Sequence, residues 1–136
     1  MCKQAMKQER VKAYWQTYLA TRSNDAAVDE TYVAEQFGDS PQLANKLAQL
    51  VLAGIKTATC SAVWEWEAEG SNIPKVGLKT IVLDGENLPL CIIETIEVNI
   101  RAFCEVDAQF ADDEGEDDRS LESWQRIQGF CKICRR

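Results

Sequence analysis

Two apolar runs, Lys79–Leu83 and Leu90–Val98, flank the tetrapeptide Asp84-Gly85-Glu86-Asn87. Turn-forming residues between two β-prone runs mark a hairpin, so an antiparallel strand pair is expected here. The rest of the pattern is mostly helical. Val11, Tyr14, Trp15, Tyr18 and Leu19 fall at helical spacing, which predicts a helix over residues 3–21. Tyr32, Val33 and Phe37 suggest a short helix or turn stopping at Gly38. Asp39-Ser40-Pro41 is a helix start, and Leu43, Leu47, Leu50 and Val51 give that helix its apolar stripe. Ala62–Glu69 reads as a short helix ended by Gly70, and Pro74–Gly77 as a turn into the hairpin. Ile100–Val106 extends the sheet, and 107–118 is an acidic connection. Ser120 caps a last helix with Leu121, Trp124, Ile127 and Phe130 inward. Helices, a strand, a small helix, a cluster of strands and a helix make an α+β fold, with a largely antiparallel sheet or small barrel.

The octet Gly54-Ile55-Lys56-Thr57-Ala58-Thr59-Cys60-Ser61 follows the second long helix directly. Read as a strand, its two-residue period turns the hydroxyls of Thr57, Thr59 and Ser61 to one face. A lysine beside a threonine hydroxyl binds an anion, or activates a nucleophile if its pKa is lowered. The bland alternative is an exposed lysine complementing a helix end, followed by a β-prone threonine.

Size and composition bound the rest. The chain has 136 residues, enough for one domain with a real core. Hydrophobic residues at 46% and charged residues at 27% match an ordinary globular protein. No apolar run approaches the roughly 20 residues that span a bilayer. Met1–Arg10 is polar and mixed in charge, unlike a secretory signal, so a cytoplasmic location and reduced cysteines are expected. Cys60 and Cys91 read as small core residues, and the Cys131/Cys134 pair as chance spacing, since the chain has no histidine and no second C-x-x-C to complete a zinc site. The same absence of histidine excludes Ser-His-Asp and Cys-His sites. No cofactor is expected.

The net charge of −7 argues against a broad phosphate-binding surface. Eight acids fall within residues 105–118, however, and without them the chain carries +1. The remainder can therefore hold a local basic cleft, with the acidic run as a solvated loop.

Several side chains then stand out. Glu94 interrupts an apolar strand and shares a face with Ile92 and Ile96, so it needs a partner, Lys56 or Lys79. Arg119 either faces an anionic ligand or flanks the Ser120 cap. Trp64 and Trp66 either stack bases or pack as core and rim residues, and only one of two residues so spaced on a helix faces a given direction.

The chain resembles the ASCH domain family of the PUA-like superfamily. The resemblance rests on Gln36-Phe37-Gly38-Asp39-Ser40, on the G-x-K-x-x-T pattern at Gly54, Lys56 and Thr59 with Ser61, and on Pro74-Lys75-Val76-Gly77. It continues through Ile81-Val82-Leu83-Asp84-Gly85, Cys91-Ile92-Ile93-Glu94-Thr95, and Asp118-Arg119-Ser120-Leu121 with Trp124. It implies one domain over residues 1–136: a small, mostly antiparallel PUA-like β-barrel flanked by helices, with the N-terminal helix packed on it. The pattern is similar to a longer subfamily with extra N-terminal helices, and the ending Phe130–Arg136 departs from the usual aromatic and acidic one.

The resemblance also implies a role with RNA, a nucleotide or a modified nucleoside. A smaller ASCH subfamily hydrolyses N(4)-acetylcytidine with a lysine, a threonine and a glutamate, which by motif fall on Lys56, Thr59 and Glu94. Ser61, Lys75, Lys79, Arg119 and Trp64 are the expected ligand contacts. The competing expectations are a non-catalytic binding module for RNA or a nucleotide, and a metal-assisted ribonuclease using Glu94 with Glu114 or Asp118.

Overall fold

The structure is a computed structural model and describes residues 2–21 and 32–130. In chain order it contains α1 (Cys2–Thr21), β1 (Tyr32–Gln36), α2 (Pro41–Leu52), α3 (Val63–Glu69), β2 (Lys79–Leu83), β3 (Pro89–Glu94), a 3-10 turn (Phe103–Glu105), α4 (Ala108–Glu114) and α5 (Leu121–Phe130). The chain divides into two compact units, Met1–Gln49 with Val76–Ile96, and Leu50–Lys75 with Glu97–Arg136. Each is described by itself.

The first unit is built on the expected hairpin. Asp84 N donates to Leu88 O at 2.9 Å and Asn87 N to Asp84 O at 3.0 Å, which closes the turn. The Asp84 carboxylate also accepts from Glu86 N and Leu88 N. Asn87 takes the left-handed conformation, φ 64°, that asparagine tolerates better than most residues. The paired strands run in register from Lys79 opposite Glu94 to Val82 opposite Cys91, with a bulge between Val82 and Leu83.

The third strand is a surprise. Tyr32–Gln36, expected as a short helix or turn, is β1, and it pairs in parallel with β2, Tyr32 opposite Lys79 and Gln36 opposite Leu83. The sheet order is β1-β2-β3, so β2 is central, and every one of its residues is buried. Trp15 of α1 packs with Ile81 and Leu83, joined by Val11, Tyr14, Tyr18, Tyr32 and Ile92. The Trp15 ring lies 4.6 Å from that of Tyr32 and 5.2 Å from that of Tyr18. These contacts are the apolar stripe read from the α1 sequence.

The hairpin turn also meets α2. Gly85 N donates to Asn45 Oδ1 at 2.7 Å. A Cβ on Gly85 would strike the Pro41 carbonyl and come within 3.0 Å of the Asn45 amide. Gly85→Ala is therefore expected to cost about 1–3 kcal/mol, because backbone cannot yield as a flexible side chain can. Urea denaturation of the two proteins would show this as a lower midpoint with unchanged slope.

In the second unit the helix ends follow the sequence closely. Gly70 closes α3 in the left-handed conformation. Ser120 Oγ accepts from Ser123 N at 3.1 Å and caps α5, and Asp107 does the same for α4 through Phe110 N at 2.9 Å. Buried Trp124 stacks on Phe103 at 5.2 Å and meets the edge of Phe110 at 6.2 Å.

Several expectations are corrected here. Among the described residues the sheet has three strands of mixed direction and does not close, so the fold is α+β with an open sheet and not a small mostly antiparallel barrel. The octet is not a strand. Ile100–Val106 does not extend the sheet but carries the 3-10 turn, β3 stops at Glu94 short of Val98, and the acidic segment contains α4. The Cys131/Cys134 pair, the connection at 23–29, the chain ending after Phe130, and the side chains of Ile127 and Phe130 lie outside the described residues.

Candidate functional site

Residues 55–62 form no regular element, yet they are held firmly. Ile55 N and Lys56 N both donate to Leu50 O, at 3.0 and 3.1 Å, which turns the chain out of α2. Thr57 N and Ala58 N then both donate to Asp113 O, at 2.7 and 3.0 Å. The segment thus takes its backbone partners from the end of α4 and not from a neighbouring strand. Gly115 makes the approach possible: it has φ 69°, and a Cβ there would lie 2.8 Å from Ile55 O.

Lys56 fastens the segment from beneath. Its side chain is 2% exposed. Nζ donates to Ala58 O at 2.9 Å and Glu114 O at 3.3 Å, and pairs with Glu114 Oε2 at 3.5 Å and Glu116 Oε2 at 2.9 Å. Trp124 Nε1 adds a hydrogen bond to Glu114 Oε1 at 3.3 Å. Burial pushes the Glu114 carboxyl up to about 7, reinforced by its hydrogen bond with Glu116 and opposed by Lys56. Burial, then the charge of Glu114, also raises the Cys60 thiol, so Cys60 is no thiolate.

Neither glutamate was singled out as a partner for Lys56 by the sequence reading, which placed both in a solvated loop. A signal for Glu114 was present: Phe110, Ala111 and Glu114 share one helical face, and Ala111 and Glu114 are both buried.

The outer side of the same segment is polar. Thr57, Thr59 and Ser61 are exposed, whereas Lys56 is buried and Ala58 and Cys60 are half-buried. The expected alternation therefore exists without a strand. Thr59 makes no hydrogen bond among the described residues, Thr57 Oγ1 reaches Asp113 O at 3.4 Å, and Ser61 Oγ accepts from Trp66 Nε1 at 2.7 Å. Trp66 is thereby tied back, and Trp64, two residues earlier, is left 52% exposed. Arg119 is exposed, with φ 66°, and its Nε reaches Asp112 O at 3.2 Å and Asp112 Oδ1 at 3.1 Å, one residue from the carbonyl that holds the loop. Lys75 is exposed on the connection that follows α3.

Glu94 and Lys79 belong to the first unit. They face each other across β2 and β3 and form an ion pair, so the partner expected of Glu94 is Lys79. The Glu94 side chain is 48% exposed, and β3 ends there, leaving Ile96 in solvent. With Tyr18, Ile92 and Ile93 the pair lines an open hollow of about 270 Å3.

These contacts lend no support to the hydrolase expectation. Lys56 Nζ is engaged by four oxygens of its own chain, from Ala58, Glu114 and Glu116. Among the described residues no group of three or more His, Cys, Asp or Glu is gathered to hold a metal ion. No helix among them is long and apolar enough to cross a membrane.

Comparison with known proteins agrees with the motif pattern. The model of the ASCH domain matches residues 33–130, leaving α1 ahead of the matched segment. The chain is similar to the crystal structure of an ASCH domain from Lactobacillus crispatus JV V101, with 32% identity and a TM-score of 0.84 over 91% of this chain and 79% of that one. It is also similar to a protein of known structure from Enterococcus faecalis V583, with 36% identity and a TM-score of 0.77 over 89% of this chain and 71% of that one. No curated protein matches. The chain belongs to the ASCH domain family.

Proposed function

We propose that this ASCH domain is a binding module for a short single-stranded RNA segment or a nucleotide. The observation that carries this reading is the outer face of residues 55–64: exposed Thr57, Thr59 and Ser61 leading directly to the exposed indole of Trp64. Hydroxyls contact phosphate and ribose oxygens, and an open aromatic ring stacks any base. Arg119, held beside the loop through Asp112, supplies the charge for one phosphate. Lys56 supports the face from below as an anchor, and Lys75, exposed on the connection after α3, is a second cation. The kinship with RNA-binding PUA-like domains implied by the sequence pattern points the same way. A net charge of −7 limits the ligand to few phosphates.

Fluorescence anisotropy with a labelled single-stranded oligoribonucleotide tests this. Trp64→Ala is expected to weaken binding about 5- to 150-fold, the worth of one base stack of about 1–3 kcal/mol. The salt response should be shallow, with log K falling by about 0.7–1.4 per decade of salt for one or two phosphates on a single strand. Absence of binding at low salt, or a Trp64→Ala variant that binds as the parent does, would remove the reading.

A further inference from the structure

Beneath the binding face, Lys56, Glu114 and Glu116 form one cluster with two acids and one base. If all three are charged, the cluster carries a net negative charge at a place where the Lys56 and Glu114 side chains are both 2% exposed. Burying two ionised carboxylates beside one ammonium is costly. The other polar groups facing Glu114 do not cancel it. Cys60, from the loop, is a neutral thiol, and Trp124, from α5, offers only an indole N–H. A proton shared between Glu114 and Glu116, which are hydrogen-bonded to one another, lowers that cost. Glu116, whose side chain is 28% exposed, is the member with a path to water.

We propose that this cluster is a proton-dependent latch on residues 55–62: the segment is locked onto α4 while Glu114 and Glu116 share a proton, and opens more often, with the closed state still the major one, once that proton leaves. The contacts that would open are on one short surface. They are the two N–H groups of Thr57 and Ala58 on Asp113 O, and the Lys56 bonds to Ala58 O and Glu114 O. The latch gives the binding face above a pH response, and only that consequence rests on the binding reading.

The sign follows from linkage. In the closed state the Glu114 carboxyl is raised from 4.5 to about 7, chiefly by burial and then by Glu116. In an open, hydrated state it returns towards the ordinary value. The closed state is therefore fully favoured below 4.5, and its advantage is lost as pH rises through about 7. The difference between those two values bounds the change in the opening constant at about 300-fold.

Amide hydrogen exchange of the free 136-residue protein, corrected for the intrinsic pH dependence of exchange, reads the latch at Thr57 and Ala58. The expected result is an opening constant that grows at least tenfold between about pH 5 and pH 8, with the amides of α5 unaffected. Glu114→Gln keeps the shape, loses the titration and should flatten the profile with the segment closed throughout. Carbon NMR of the Glu114 carboxyl gives an independent midpoint that needs no variant. A flat parent profile, a variant that follows the parent, or a Glu114 midpoint below about 5 would each overturn the latch. If the amides respond but no oligoribonucleotide binds at any pH, the latch stands and the binding reading falls. If RNA binds while the amides stay flat with pH, the latch alone falls.

Discussion

Lys56→Ala is expected to lower the unfolding free energy by about 3–5 kcal/mol near pH 8, the loss seen when one member of a buried ionic cluster is removed. The cause is what stays behind. Glu114 and Glu116 would face each other with no cation between them, and the carbonyls of Ala58 and Glu114 would lose their donor. Urea denaturation measures the loss, and pH resolves its origin. The deficit should shrink towards pH 4, where Glu114 is protonated and carries no charge for a lysine to balance. Lys56→Met, which fills the channel of the aliphatic stem, should recover the packing part of the loss but keep the same pH dependence. A deficit equal at pH 4 and pH 8 would mean that Lys56 works through packing and not through charge.

The sequence carries much of this arrangement and hides a specific part of it. Caps and turns are local, so Ser40 before Pro41, Ser120 before α5 and the Asp84–Asn87 turn were legible from a few neighbouring residues. The alternation of Thr57, Thr59 and Ser61 with Ala58 and Cys60 was legible too, because any extended backbone turns successive side chains to opposite sides. What period two does not specify is the partner. Here it is the single carbonyl of Asp113, far along the chain, so an extended loop and a strand look alike.

Non-locality also explains β1. Tyr32, Val33 and Phe37 sit at a spacing that suits a helix, but β2 arrives much later in the chain and offers a parallel edge that outweighs local preference. Glu114 was hidden for a different reason. An acid in a run of acids reads as solvated, and only the arrival of Lys56 allows it to be buried. The consequence for function is direct: the carboxylates that Lys56 meets come from the acidic run, and Glu94 is spoken for by Lys79.

Trp15→Ala is expected to be as damaging in the first unit as Lys56→Ala is in the second, at about 3–5 kcal/mol. Among the described side chains of α1, Trp15 is the one large member of the buried cluster with Ile81 and Leu83, and its ring also meets Tyr18 and Tyr32. Truncation would leave a cavity lined by the central strand and by two tyrosines, and a three-stranded open sheet has no closing strands to share the strain. Trp15→Phe should cost less than half as much, because a smaller ring still covers Ile81. Thermal unfolding followed by near-ultraviolet circular dichroism is the measurement, since aromatic signals report the packing around Trp15. If α1 were merely laid on the sheet, both variants would unfold near the parent midpoint. If it completes the core, Trp15→Ala would lose its near-ultraviolet signal well before Trp15→Phe. That ordering matters for the ASCH domain as a unit, because α1 lies outside the segment that the family model matches. A large loss on truncating Trp15 would mean that this chain has made a helix from beyond that segment part of the core on which β2 and β3 rest, and with them the Lys79–Glu94 pair.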